Sequence, residues 1–228
     1  MKECTVDDWA ANTRRLSFNR VHVHATLVTL VEDLFPKNEA SILEVGAQTG
    51  IDAECLADLQ YDVTAVDYNA EAMKLLQLRR KINSVRADGF ALPCSDRSFD
   101  LVYSQGLIEH FSDTDVNRLV QEQVRVSRMY VIIDVPNTYS LNTIPKQMLI
   151  ALGKWIVPWE TQYTYGELRE VGQRNGLMLG REYVWGYDKY IGERLERVMR
   201  MLSGTRFGVI EKKFGRYFQK CIGAVFEK

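Results

Sequence analysis

The sequence predicts one α/β domain in which an open sheet of seven strands, mostly parallel, carries helices on both faces. Two observations predict this fold class. The length of 228 residues, with 46% apolar and 26% charged residues, suits one soluble domain with a sizeable core. Short apolar runs then alternate with segments of helical periodicity, a pattern typical of right-handed strand–helix–strand units. The final strand is expected to run antiparallel to its neighbour.

The first element is a predicted amphipathic helix over Asn19–Phe35, followed by Pro36, which helps to end it. His22 and His24 lie near its start. Histidines two positions apart do not share a helix face, so this pair is a poor metal site, and no other metal motif is present. We expect no bound metal.

The alternating region begins at Ser41 and ends at Pro136. Its predicted strands are the segments SILEV, DVTAVD, SVRAD, SFDLVYSQ and MYVIIDVP. The predicted helices between them are IDAECLADL, AEAMKLLQLRRKI and DTDVNRLVQEQVRVS, the last with its start marked by Asp113 and Thr114.

The pattern is looser after Pro136. A broken helix in TYSLNTIPKQMLIALGKWIV precedes a capped helix in TYGELREVGQRNGL, which Gly176 closes. The strand MLGREYVWGY, the helix YIGERLERVMRML and the final strand GRYFQKCIGAVFEK complete the chain.

Global composition excludes few functions. The formal net charge of −1 gives no field that favours nucleic acid, and we expect no nucleic-acid partner. The four cysteines are far apart and form no CxxC pair, as expected of reduced structural thiols. The N-terminal residues lack the apolar core of a signal peptide, and no apolar run is long enough to span a membrane. We therefore expect a cytoplasmic protein.

A glycine-bracketed loop follows the first strand and indicates a site for a nucleotide-like ligand. The segment LEVGAQTG places Gly46 and Gly50 in a turn that leads into a helix, where backbone amides and the helix N-terminus face the ligand. Asp67 ends the second strand, 21 residues after Gly46, where an acid accepts hydrogen bonds from a ribose diol. Asp67 could equally be a plain strand-end cap, and Asp88 an ordinary turn former.

The loop separates two cofactor classes. Its spacing is G-x-x-x-G, so the G-x-G-x-x-G fingerprint of dinucleotide binding is absent. Glu44 at the end of the first strand would repel a pyrophosphate and attract a ligand that carries a sulfonium and an ammonium group. An NAD-dependent enzyme is therefore disfavoured.

The ordered set LEVGAQTG, VTAVDYN, ADGFALP and SFDLVYS…EHF resembles the class I S-adenosylmethionine-dependent methyltransferases, most closely the type 11 branch that methylates small molecules and lipids. The resemblance covers about residues 41–136 well and the C-terminal third in outline. It implies a Rossmann-like fold, S-adenosyl-L-methionine as the cofactor, and a small-molecule or lipid-like acceptor.

The resemblance also implies residue roles. Glu44 would contact the methionine part of the cofactor, and Asp67 would bind the ribose hydroxyls. Tyr68 would lie along the adenine, and Gln105 near the methyl donor. The other implied cofactor-binding residues are those of the loop and of the turn after the third strand: Gly46, Ala47, Gln48, Gly50, Asp88, Gly89 and Phe90. Gln48 stands where the family usually has a glycine or another small residue, so its side chain must point away from the cofactor or bond to it.

His110, in the segment IEHF, is the candidate catalytic residue. It follows the fourth strand on the ligand side of the sheet, where a neutral histidine could accept a proton from a hydroxyl acceptor. The alternative is that His110 caps the next helix or bonds Glu109.

The acceptor pocket is expected in the variable parts of the chain. Aromatic side chains cluster there in an irregular stretch and could wall an apolar acceptor or simply pack on the domain. The candidates are Tyr139, Trp155, Trp159 and Tyr163.

A basic insertion precedes the last strand. Between Lys189 and Lys220 there are nine Lys or Arg and three Glu, so 9 − 3 = +6, with apolar residues at helical spacing. Such a helix can contact an anionic membrane surface, cover a pocket, or only pack on its own domain with a solvated basic face.

The predicted organisation is one methyltransferase domain over residues 1–228. It comprises an N-terminal helical cap (1–40), a cofactor-binding half (41–136) and an acceptor-binding half (137–228) with a helical insertion at about 187–215. Either a monomer or a homodimer is expected. The alternative function is a pseudoenzyme that binds S-adenosylmethionine and regulates or scaffolds a partner.

Overall fold

The computed structural model describes residue 13 and residues 25–140, 143–152, 160–187 and 219–228. Seven strands of this part form one sheet in the order β3-β2-β1-β4-β5-β7-β6. Their bounds are β1 Ser41–Val45, β2 Asp62–Asp67, β3 Asn83–Arg86, β4 Phe99–Gln105, β5 Ser127–Pro136, β6 Met178–Tyr187 and β7 Gln219–Glu227. Strands β1 to β5 pair in parallel, and β7 pairs antiparallel with both β5 and β6. The predicted fold class is confirmed.

Six helices and one 3₁₀ turn surround the sheet in the described residues. Their bounds are α1 Ala25–Leu34, α2 Ile51–Asp58, α3 Ala70–Leu76, the 3₁₀ turn Ile108–His110, α4 Asp113–Val126, α5 Thr143–Ala151 and α6 Tyr165–Arg174. Within that part of the chain, no helix is long and apolar enough to cross a membrane.

The sheet has a hydrophobic core on each face, because side chains alternate along every strand. On the first face, Ile42, Tyr103 and Ile132 pack with apolar residues of α1, α2 and α3. On the second face, strand residues such as Val131 and Leu43 pack with residues of α4 and α6. Side chains two positions apart on a strand point to the same face. Glu44 and Asp134 therefore lie on the first face, together with Ile42 and Ile132.

Two element boundaries differ from the sequence-based expectation. The helix predicted to run on to Ile82 ends at Leu76, and the chain then turns so that Arg79 is buried while Leu78 is exposed. The start of α4 is marked by Ser112, whose hydroxyl accepts a hydrogen bond from the Asp115 amide, and not by Asp113 and Thr114.

Three predicted features lie outside the described residues. They are the start of the N-terminal helix with His22 and His24, the aromatic residues Trp155 and Trp159, and the basic segment Lys189–Lys220 except for its last two residues. The division of the domain into a cap and two halves stays a prediction.

Candidate active site

The loop between β1 and α2 has a backbone that favours glycine. Gly46 and Gly50 have φ angles of 78° and 62°, and Gln48 between them has a φ of 45°. A Cβ atom at Gly50 would lie 2.3 Å from Leu76 Cδ2, so any other residue would have to displace the Leu76 side chain as well as adopt a left-handed backbone. The left-handed backbone at Gln48 gives a physical reason for a glycine at this position, since a side chain there costs about 1 kcal/mol or more.

A buried arginine connects this loop to the helix that follows it. Arg79 is only 3% exposed; its Nε donates a hydrogen bond to the Thr49 carbonyl, and its Nη1 pairs with Glu54 of α2. The turn after α3 is therefore connected to both the loop and the helix that follows it. Sequence reasoning did not find Arg79, because it lay within a segment predicted to be helical.

Asp67 at the end of β2 is engaged by backbone amides. Its Oδ2 accepts a hydrogen bond of 2.8 Å from the Gln48 amide, and its Oδ1 accepts one of 2.8 Å from the Asn69 amide. Burial nevertheless raises the pKa of Asp67 against these hydrogen bonds. A carboxylate has about four lone-pair positions, so these two bonds leave it able to accept ribose hydroxyls as well. Asp67 is thus both a strand-end cap and a candidate ligand group.

Glu44 at the end of β1 lacks a hydrogen-bond partner on one oxygen. The residue is 5% exposed, and its Oε2 finds no hydrogen-bond partner among the described residues. Burial is the main cause that holds the pKa of Glu44 well above its ordinary value, and the charge of Asp52 on α2 adds to it. Hydrogen bonding from the fully buried Tyr103 hydroxyl and from the Ala53 backbone opposes the rise of the Glu44 pKa, so the carboxyl group is partly engaged within the protein. Because buried polar atoms in proteins are nearly always paired, the remaining Oε2 indicates a place where a ligand group binds.

The residues that follow β2 and β3 form a more exposed edge of the candidate site. Tyr68 is 53% exposed, with the Arg86 guanidinium 5.8 Å from its ring centre. Asp88 is exposed and accepts a hydrogen bond from the Phe90 amide, so it does form a turn, as the simpler interpretation holds. The Phe90 ring meets Phe111 edge to face at 5.2 Å. An exposed tyrosine on this edge suits stacking against a base.

Gln105 and His110 follow at the end of β4. Gln105 Nε2 is buried with no hydrogen-bond partner among the described residues. His110 is 8% exposed, and its Nε2 lies 3.8 Å from Glu109 Oε1. Ser112 and not His110 caps α4, so of the two simpler roles for His110 only the contact with Glu109 is present.

The candidate acceptor residues within the described part of the chain have neighbouring backbones, because Tyr163 pairs with the segment just before Tyr139, but their side chains differ in exposure. Tyr139 is half exposed, whereas Tyr163 is 6% exposed and packs in the core on the second face of the sheet. Burial raises the pKa of Tyr163 to about 12. Tyr163 therefore packs in the core, and its role towards an acceptor stays a prediction.

The sequence analysis did not identify Asp134, a buried polar residue near the end of β5, just as it did not identify Arg79. Asp134 is 1% exposed and accepts a hydrogen bond from the Tyr183 hydroxyl at 3.3 Å. The sequence held a signal for it, because Asp134 ends the apolar run of β5 much as Glu44 and Asp67 end theirs. In the described residues, no group of three His, Cys, Asp or Glu side chains is placed to hold a metal ion.

Comparison with known protein families identifies a methyltransferase domain in part of the chain. Residues 43–130 match the family described as a methyltransferase domain. Comparison with curated proteins gives no match.

Solved structures of methyltransferases share the fold. An S-adenosylmethionine-dependent methyltransferase from Archaeoglobus fulgidus is 16% identical, with a TM-score of 0.63 over 98% of this chain and 95% of that one. The complex of the Haloferax volcanii Trm112 methyltransferase activator has a matching chain with 17% identity, a TM-score of 0.66 and coverages of 97% and 94%. Magnesium protoporphyrin IX methyltransferase from Synechocystis, solved with S-adenosylhomocysteine, is 13% identical, with a TM-score of 0.61 and coverages of 96% and 84%.

Residues 43–130 therefore carry a methyltransferase domain, on a fold that the chain shares with S-adenosylmethionine-dependent methyltransferases, and these matches support S-adenosyl-L-methionine as the cofactor. The residues at the carboxyl ends of β1 and β2 fit this cofactor. Glu44 offers a buried carboxyl oxygen to an ammonium group, and the glycine loop allows close approach.

Proposed function

We propose that this enzyme methylates a small-molecule or lipid-like acceptor by direct displacement. The observation that carries the cofactor part of the proposal is the buried Glu44 carboxyl, whose Oε2 lies without a partner among the described residues at the end of β1, whereas the acceptor class is inferred from the sequence resemblance. An ammonium group is the ligand chemistry that this oxygen suits best. Bound S-adenosylmethionine supplies an already activated methyl group, so the protein needs no covalent nucleophile.

The residues of the site have distinct tasks in this proposal. Glu44 binds the methionine ammonium, and Asp67 binds the ribose hydroxyls while the Gln48 and Asn69 amides hold it in place. Tyr68 covers the adenine, with the turn at Asp88 beside it. The other contacts are assigned to Gly46, Ala47, Gly50, Gly89, Phe90 and Gln105. Holding both reactants in contact is the main source of rate enhancement for such a displacement.

We assign His110 as the base for a hydroxyl acceptor. Its burial next to Glu109 would orient the ring, and a proton leaving the acceptor would pass to a ring nitrogen. Tyr139, Trp155, Trp159 and Tyr163 remain candidates for the acceptor pocket. The acceptor side otherwise depends on segments outside the described residues.

The cofactor assignment is tested by calorimetry with S-adenosylmethionine, S-adenosylhomocysteine and NAD. We expect binding of the first two only. Asp67→Ala should raise the Kd for S-adenosylhomocysteine about tenfold or more, since a charge-assisted hydrogen bond is worth about 1.5–3 kcal/mol. Asp62→Ala, at the exposed opposite end of the same strand, is the matched control and should leave the Kd unchanged. An unchanged Kd in Asp67→Ala would show that Asp67 is only structural.

The acceptor class is tested by methyl transfer from a labelled donor. A cell extract is divided into a polar metabolite fraction, a lipid fraction and a macromolecular fraction, and the label in each is counted. Label in either of the first two supports the proposal. Label that enters only protein or nucleic acid contradicts it.

A further inference from the structure

Thr13, in the N-terminal part of the chain, contacts the segment that carries the proposed ribose ligand. Its Oγ1 accepts a hydrogen bond of 3.1 Å from Asn69 Nδ2, and the two residues are 2% and 7% exposed. This contact joins residues 56 positions apart. Thr13 lies outside residues 43–130, which match the methyltransferase domain. A residue that the domain match does not include therefore contacts the connection between β2 and α3.

Asn69 forms hydrogen bonds through its backbone and through its side chain. Its Oδ1 accepts from the Glu71 amide at 2.9 Å and caps the N-terminus of α3, and its carbonyl accepts from the Met73 amide at 3.0 Å. Its own amide donates to Asp67 Oδ1 at 2.8 Å. Thr13 accepts from the remaining polar group, the Nδ2 amide nitrogen. The position of Asn69 is therefore set by several partners, one of which is Thr13.

The backbone of Asn69 holds Asp67, the proposed ribose ligand. The Asn69 amide bonds one carboxylate oxygen of Asp67, and the Gln48 amide of the glycine loop bonds the other, each at 2.8 Å. Tyr68, which is proposed to cover the adenine, lies between Asp67 and Asn69 in the chain. A shift of Asn69 would therefore move both of these proposed cofactor contacts.

The helix cap alone does not require an asparagine at position 69. Asn, Asp and Ser cap helices about equally well, because each uses a side-chain oxygen. The amide nitrogen of Asn69 adds the bond to Thr13, which a serine at this position is too short to make. A buried N–H without a partner is unfavourable, so the side chain of Asn69 is held more firmly when Thr13 is in place.

We propose that Thr13 is a positioning residue of the cofactor site, and that binding of S-adenosylmethionine is thermodynamically linked to the hydrogen bond between Thr13 and Asn69. The inference rests on the proposed function, and in particular on Asp67 as the ribose ligand. The role assigned to Thr13 is to act through Asn69 and Asp67 and not to touch the cofactor. Since linkage is reciprocal, a contact that supports cofactor binding is itself strengthened when the cofactor binds.

The test compares S-adenosylhomocysteine binding, measured by calorimetry, in variants of the whole chain. Thr13→Val keeps the size of the side chain and removes the hydroxyl, and Asn69→Ser keeps a capping oxygen and removes the amide donor. Each should raise the Kd about threefold or more, because one buried hydrogen bond is lost. Thr13→Ser keeps the hydroxyl, and its Kd should stay within about twofold of the wild type. Thr29→Val is the control, because it removes an exposed hydroxyl that donates to the Ala25 carbonyl within α1, and it should leave the Kd unchanged.

Two further measurements show whether the residues act as one unit. The double variant with Thr13→Val and Asn69→Ser should bind S-adenosylhomocysteine about as well as the weaker-binding single variant, because both substitutions remove the same hydrogen bond. The reciprocal effect is measured by hydrogen exchange of the Thr13 amide. Saturating S-adenosylhomocysteine should slow this exchange about threefold or more in the wild type, and less in Asn69→Ser.

Failure of this inference differs from failure of the proposed function. An unchanged Kd in Thr13→Val or in Asn69→Ser, even with a lowered melting temperature, overturns the role of Thr13 while the wild-type protein still binds S-adenosylhomocysteine. The same conclusion follows if Thr13→Ser binds as weakly as Thr13→Val, if the effects of the two substitutions multiply in the double variant, or if the ligand slows exchange of the Thr13 amide equally in Asn69→Ser and the wild type. A wild-type protein that does not bind S-adenosylhomocysteine would instead overturn the cofactor site and this inference with it.

Discussion

Glu44 combines burial, a raised pKa and an oxygen for which the described residues supply no hydrogen bond. Leaving a buried polar group unsatisfied costs about 1–3 kcal/mol, so the unpaired oxygen of Glu44 lowers the stability of the free enzyme. A proton on the carboxyl group reduces this cost in the free enzyme, and a bound ammonium group replaces the proton. Cofactor binding should therefore be linked to proton release.

We predict that binding of S-adenosylhomocysteine near pH 6 releases up to about one proton from Glu44, because the ligand ammonium favours the charged carboxylate. Calorimetry in two buffers with different ionisation enthalpies counts the protons. Glu44→Gln should abolish the release and weaken binding. Glu39→Gln, at an exposed position just before β1, is the control. An equal proton count in Glu44→Gln and wild type would assign the proton to another group.

Gln48 and Gln60 allow a matched test of backbone strain. Both have positive φ angles, 45° and 75°, but only Gln48 lies in the cofactor loop. Replacing either by glycine relieves strain of about 1–3 kcal/mol and loses about 0.5–1 kcal/mol to the greater entropy of the unfolded chain. We predict that both variants raise the free energy of unfolding in urea by about 0.5–1 kcal/mol. A loss of stability in Gln48→Gly alone would mean that its side chain supports the loop.

At the scale of elements, the turn after α3 has more influence on the site than its sequence suggests. Arg79 bonds the Thr49 carbonyl in the loop and Glu54 on α2, so it fixes which way the peptide groups of the loop point. The backbone amides that would meet the cofactor are oriented by a side chain about 30 residues further along the chain.

We predict that Arg79→Met weakens S-adenosylhomocysteine binding about tenfold and destabilises the protein by about 1–3 kcal/mol, since two hydrogen bonds of a charged group are lost. Arg79→Lys should restore part of the affinity, because a lysine can still reach one acceptor. Calorimetry and urea unfolding measure the two effects. Arg80→Met, at the exposed next position, controls for loss of charge. A destabilised Arg79→Met with wild-type affinity would limit Arg79 to packing.

The sequence predicts best those elements whose formation depends on residues close together in the chain. Buried parallel strands are apolar runs, so β1 and β2 begin and end at the predicted residues. The antiparallel edge strand β6 also begins and ends where it was predicted. The helix before Arg79 was predicted too long, because its apolar spacing continues past Leu76 while the chain turns. The contact between Tyr183 and Asp134 joins residues 49 positions apart and requires β7 to insert between their strands. No local pattern encodes such a contact.

At the scale of the whole molecule, the site makes the fold depend on pH in an unusual direction. Most buried carboxylates in proteins are paired and have lowered pKa values, so acid destabilises the fold. Asp100 and Glu122 behave in this way, with pKa values lowered by hydrogen bonds from Ser41, Arg128 and Arg125. Glu44 and Asp134 have pKa values raised well above the ordinary range by burial.

The sign of the effect follows from where the protons bind. The unfolded chain loses the protons of Glu44 and Asp134 near pH 4, whereas the folded protein retains them to higher pH. Above pH 4 the folded state therefore binds more protons, and its stability falls as pH rises through the folded-state pKa values. Asp100 and Glu122 change protonation only at or below the ordinary carboxyl range, so they do not oppose this trend above about pH 5.

We predict that the free enzyme melts at a higher temperature near pH 5.5 than near pH 8, and that saturating S-adenosylhomocysteine reduces the difference by supplying a cation to Glu44. Glu44→Gln and Asp134→Asn should each make the dependence flatter, because an amide does not titrate in this range, whereas Asp62→Asn on the exposed start of β2 should leave it unchanged. Thermal unfolding followed by circular dichroism at several pH values measures this. A melting temperature that rises from pH 5.5 to pH 8 in the wild type, or the same slope in Glu44→Gln, would show that the raised pKa values of these carboxyl groups do not set the pH dependence of stability.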